Sequence, residues 1–122
     1  MPLSKDVMGG GLSAQTAQAL AGTINTSVSA AGSSQSDATE LSASINSVTT
    51  VAASAGVKLP ACEIGDDVWV YNGQVTNPLT VYPDSGATIN QLSANTSITL
   101  PAYTGILCKR VTSTAWLAIR SA

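Results

Sequence analysis

A chain of 122 residues fits a single domain and is long enough to bury roughly two-thirds of the surface its unfolded form exposes. Charged residues make up 10% of it and the net charge is −2, which excludes the basic footprint of a nucleic-acid or anionic-membrane binder. So little charge also leaves little repulsion between copies, a property suited to a surface that packs against neighbours.

The opening "MPLSKDVMGGGLSAQ" lacks the continuous apolar stretch of a secretory signal, and no run reaches the ~18 apolar residues of a membrane-spanning helix. Synthesis in a cytoplasm, without export by the usual route, is the expectation. "MGGG" at Met8 to Gly11 reads as a joint, because glycines carry a high ordering cost. Ser13 is placed to cap a short helix through "AQTAQALAGT", with Leu12, Leu20, Ile24 and Val28 near one helical stripe. The following "SSQSDATELSASINSVTTVAAS" fits a β-rich or a helical pattern. Its hydroxyl and β-branched residues favour extended structure.

Composition changes near Gly56. Residues 1 to 55 contain no aromatic residue, whereas Trp69, Tyr71, Tyr82, Tyr103 and Trp116 all follow. Large side chains supply most core burial, so the autonomous core is expected in the C-terminal half, with the N-terminal half leaning on it or on a partner. In "GVKLP", Gly56 allows a bend and Val57 and Leu59 share one side of a short extended segment. "DVWVY" alternates, with Val68 and Val70 on one face and Trp69 and Tyr71 on the other. "LTVY" sets Leu79 with Val81 and Thr80 with Tyr82. The Asn72-Gly73 pair between these strands is a hairpin signal, and Pro78 marks the start of the second. "PDSG" then reads as a turn, with φ fixed at Pro83 and free to be positive at Gly86, and Ile89 returns to the core. "TSITL", "GILCKRV" and "AWLAIRS" supply three more short strands, with Trp116 out of phase with Leu117 and Ile119 in the last. Short strands at this rhythm predict a mainly β fold, a small antiparallel sandwich or barrel in meander-like order.

No catalytic constellation emerges. Histidine is absent, removing the usual general base near neutral pH, and no serine has an activating partner in sight. Glu63, Asp66, Asp67 and Asp84 lack the spacing of a calcium loop and read as exposed turn residues. Cys62 and Cys108 are the only cysteines and, without histidine, make no standard zinc site. They are either two packed thiols or an internal disulfide, which needs Cα atoms within about 7 Å; the sequence accommodates both. No catalytic, cofactor or metal residue is expected.

The ordered set "AGSSQSDATEL", "GVKLPA", "GDDVWVYN", "LTVYPDSGATIN" and "STAWLAI", spread over roughly residues 30 to 120, resembles small virion proteins of tailed bacteriophages. These are β-rich modules used as capsid decoration (cement) proteins, head fibres or tail appendages. The resemblance implies a capsid decoration protein, a homotrimer bound to the major capsid protein on the outer shell of the virion, made in the host bacterial cytoplasm and without enzymatic activity. It implies an N-terminal arm over residues 1–30, extended and partly helical, touching the capsid through Leu3, Val7, Met8 and Leu12, ahead of a β domain over 31–122. A head-fibre or tail-appendage module, with Trp69, Tyr71 and Tyr103 offered to a host glycan, is the alternative.

Overall fold

A computed structural model describes residues 23 to 52 and 54 to 121, and every described element is a strand. The order is β1 (Ile24–Ser29), β2 (Thr39–Glu40), β3 (Ile45–Thr50), β4 (Gly56–Lys58), β5 (Asp67–Asn72), β6 (Leu79–Tyr82), β7 (Thr88–Ile89), β8 (Ile98–Leu100), β9 (Gly105–Thr112) and β10 (Ala115–Arg120). They form a six-stranded sheet, β1-β3-β5-β9-β10-β7, and a four-stranded sheet, β2-β4-β6-β8.

The mainly β class is therefore as expected, but the sheets are mixed. The chain alternates between them. β1, β3 and β5 stack in parallel in one sheet, and β2, β4 and β6 stack in parallel in the other. Each turn of this solenoid-like path contributes one strand to each sheet. Antiparallel β9 then closes on β5 and β8 on β6, and β10 turns back along β9. The expected hairpin between "DVWVY" and "LTVY" is absent, since β5 and β6 lie in different sheets. Asn72 explains the difference. Its side chain is buried and donates to the carbonyls of Asn77 and Leu100, both at 3.0 Å, while its carbonyl oxygen accepts from the Gln74 N–H. The amide pins the crossing loop to the opposite sheet and leaves the Asn72-Gly73 pair no part in a tight turn.

Alternation is obeyed in β5 and β6. Val68 and Val70 are buried while Trp69 and Tyr71 face out, and Leu79 and Val81 are buried opposite Thr80 and Tyr82. One core lies between the inner faces, built from Val48, Val70, Ile89 and Trp116 of the larger sheet and Val57, Leu79, Val81 and Leu100 of the smaller. Val28, Leu41 and Val51 join it, so the N-terminal half does lean on the C-terminal core. Ile24 and Val28, assigned above to a helical stripe, lie in β1 paired with β3. Residues four apart share a face in a helix and in a regular strand alike, so this pair carries no preference between the two; register shifts in β1 then leave Ile24 outward and Val28 in the core. The rest of the expected helix, and Leu3, Val7, Met8 and Leu12, lie outside the described residues.

Gly56 serves a different purpose from a bend. A Cβ placed there would come within 2.8 Å of the Tyr82 ring and 2.9 Å of the Thr80 carbonyl, so glycine lets β4 and β6 approach. Gly86 does take the expected positive φ, 83°, and Ile89 is fully buried.

Cys62 and Cys108 are both free thiols. Cys108 is packed in the core, and burial pushes its thiol up to about 12 from 9.0. An unfolded chain releases that proton more readily than the folded one, so this contribution to stability is complete below about pH 9 and is lost as pH rises towards 12. Urea titrations across that window should show wild type losing stability faster with pH than Cys108→Ala, by at most about 1.4 kcal/mol per pH unit. Parallel curves would contradict the assignment.

Candidate binding face

The "VYPDSGATIN" segment is an internal fastening. Asp84 Oδ1 accepts from Arg110 Nη1 at 2.6 Å and from the Trp116 indole N–H at 2.9 Å. Arg110 also donates through Nε to the Thr112 carbonyl at 3.0 Å and through Nη2 to the Ser113 carbonyl, and its guanidinium lies 5.2 Å from the centre of the Trp116 ring. Both charged side chains are shielded, at 6% exposure for Arg110 and 13% for Asp84. Of the four carboxylates read as exposed turn residues, Glu63, Asp66 and Asp67 are exposed, but Asp84 is turned inward as the counter-ion of a buried arginine. Composition concealed this because Arg110 lies 26 residues away in the chain.

Asparagine ends the segment for a comparable reason. The Asn90 amide donates to the Ala118 carbonyl at 3.0 Å and accepts the Ala118 N–H at 2.8 Å, extending the β7–β10 ladder by side chain where the backbone has turned to φ 50°. Upstream, in "AGSSQSDATEL", Asp37 Oδ1 accepts the Ser34 hydroxyl and N–H, both at 2.8 Å, and the Ser33 N–H at 3.1 Å. The Ser34 hydroxyl, with the Ser34 N–H behind it, holds the Asp37 carboxyl below its ordinary 3.8. Gln35 reaches the Pro83 carbonyl at 2.7 Å and Asn95 at 3.0 Å. The motif residues on these two segments thus hold loops together.

The chemically available surface is the outer face of the larger sheet. Register aligns Ile24 with Ile45, Ile45 with Trp69, Trp69 with Leu107, and Leu107 with Ile119. With strands about 4.8 Å apart, this apolar row runs on the order of 20 Å across five strands. Trp69 is 49% exposed and Ile119 65%. A second row passes through Ser47, Tyr71 and Gly105. Between the rows lies an open, almost wholly apolar groove of about 520 Å³, lined by Trp69, Tyr71, Leu107 and Ile119 among others. Gly105 lines it beside Tyr71, where a Cβ would make only ordinary contact with the ring at 3.5 Å. The charged neighbours Lys109 and Asp67 satisfy each other at 3.0 Å.

Trp69, Tyr71 and Tyr103, singled out above, are all exposed, and the groove brings Trp69 and Tyr71 together without Tyr103. Nothing in the sequence alone marks Ile24, Ile45, Leu107 or Ile119 as surface partners of Trp69. Alternation within each strand was the available signal; the alignment of strands was not. Among the described residues no cluster of three or more His, Cys, Asp or Glu gathers as for a metal ion. Compared with known proteins, the chain matches no family model and no curated sequence.

Removing Asp84 leaves Arg110 buried without a counter-ion, a change that costs about 3–5 kcal/mol. Asp84→Ala should lower the denaturant midpoint accordingly, and Asp84→Ala with Arg110→Met should recover most of the loss. A single variant within about 1 kcal/mol of wild type would contradict the role given to this pair.

Proposed function

We propose that the chain is a structural protein of a tailed-bacteriophage virion, a capsid decoration (cement) protein that binds the outer shell as an oligomer, a homotrimer by its resemblance, and stabilises it. The observation that carries this reading is the apolar row across an otherwise inert β body, a surface built to adhere. The resemblance of its motifs to phage virion modules supplies the setting. In this mechanism the β body self-associates and the N-terminal segment, through Leu3, Val7, Met8 and Leu12, grips the major capsid protein and ties neighbouring subunits.

Binding the assembled shell and not its dissociated subunits stabilises the shell by mass action, about 2.7 kcal/mol per site at a hundredfold excess over Kd. Several arms on one oligomer raise the effective concentration of the rest. A specific contact of this kind buries on the order of 1,000 Å² or more.

One observation favours a second reading, a head-fibre or tail-appendage module that recognises a host surface glycan: Trp69 and Tyr71 line the same groove, and sugar rings stack on aromatic faces. The low aromatic content, 4%, weighs against it.

Deleting residues 1–12 should abolish cosedimentation with assembled shells while the β body keeps its circular dichroism and melting transition. Truncated protein that still decorates shells at full occupancy would remove the arm from the mechanism.

A further inference from the structure

We infer that the outer face of the six-stranded sheet is the surface through which copies of this chain associate, the Ile24–Ile45–Trp69–Leu107–Ile119 ridge of one copy seated in the groove between Trp69 and Tyr71 of a second. This deepens the proposed self-association and rests on that reading for its biological setting; the surface itself is argued from geometry.

A sheet face turned to water carries polar side chains at the outward positions. Here the row places one apolar side chain at an outward position of each strand it crosses, with Ser47, Thr49, Asp67 and Lys109 at neighbouring outward positions. Of the eleven large hydrophobic side chains exposed among the described residues, seven stand on this face: four members of the row with Tyr71, Val111 and Leu117. Together they present on the order of 600 Å², at the upper end of the largest apolar patch on an ordinary monomer. A standard interface takes about 800 Å² from each partner, so this patch with its polar rim is the size of one side of a stable dimer.

Charge narrows the occupant. The charged groups on or beside the face are Lys109 and Asp67, already paired with each other, and Arg120 in the groove lining. Beyond that pair Arg120 alone would meet a charged partner, which is little for a strongly acidic or basic one, so the apolar row and groove favour an apolar occupant. Shape narrows it further. The face carries both a ridge and a groove, each running across the strands, so a second copy supplies the complement of both, as a two-fold, self-complementary interface requires; this pairing is additional to any three-fold contact of a trimer. With a net charge of −2 over 122 residues, copies approach with little repulsion.

Sedimentation velocity of the full-length chain at micromolar concentration tests this. Wild type should sediment as a multiple of 12.3 kDa. Ile45→Asp with Ile119→Asp, both at exposed positions, should associate on the order of 100-fold more weakly and sediment as a monomer with unchanged circular dichroism. Should that pair disturb folding, Ile119→Glu alone is read in the same way. Ile64→Asp with Leu92→Asp, exposed but off this face, should leave the wild-type mass unchanged. A monomeric wild type, or an Ile45→Asp/Ile119→Asp protein that keeps the wild-type mass, overturns the inference. A monomer whose tryptophan fluorescence shifts on adding bacterial surface polysaccharide would give the groove to a glycan and overturn it too. Particle binding is scored separately: a monomer that still coats shells sinks this interface and spares the virion reading, whereas an oligomer formed through this face that binds no shell does the reverse.

Discussion

Parallel stacking of β1, β3 and β5 against β2, β4 and β6 is the constraint on which the rest of the molecule depends. A path that alternates between two sheets puts each strand's inner face against the other sheet, so inner positions fill with Val, Leu and Ile and little else. The path also generates polar crossings between the sheets, where the backbone needs partners. Side chains supply them. Asn72 bridges to both Asn77 and Leu100, Asn46 donates to the Ala43 and Trp69 carbonyls, and Asn77 donates to the carbonyl of Val51. Buried amides in these places are joints between coils, each replacing backbone hydrogen bonds that the crossing cannot make.

Closure of the far end follows the same logic with charge. Antiparallel β9 and β10 complete the larger sheet, and the turn after β6 is locked to them by Asp84, Arg110 and Trp116. A buried ion pair adds little net stability over apolar packing, but it tolerates no other geometry. Its contacts here tie the turn after β6 to β9 and β10, while the β9–β10 ladder itself sets Leu107 beside Ile119 on the outer face.

Faces of individual strands were legible in the sequence, because alternation depends only on the strand itself: Val68 and Val70 in, Trp69 and Tyr71 out. So were the turn at Pro83 to Gly86 and the anchor at Ile89. Sheet membership was not legible. Alternation has the same period in parallel and antiparallel ladders, so it named the faces of β5 and β6 without revealing that they sit in different sheets. For the same reason the outer row stayed hidden until register brought Ile24, Ile45, Trp69, Leu107 and Ile119 side by side. Asp84 was misread because "PDSG" has turn composition whether its carboxylate points to water or to Arg110.

Among the described residues, a largely apolar interior stands against an exterior with one broad apolar sheet face. The central claim is the proposal that this body serves on the surface of a phage shell, and the most direct measurement is the copy number and radial position of the chain on purified tailed-phage particles. The account predicts one copy for a large share of the capsid subunits, in density outside the shell where capsomers meet. A handful of copies confined to the tail, or none on the particle, would contradict it.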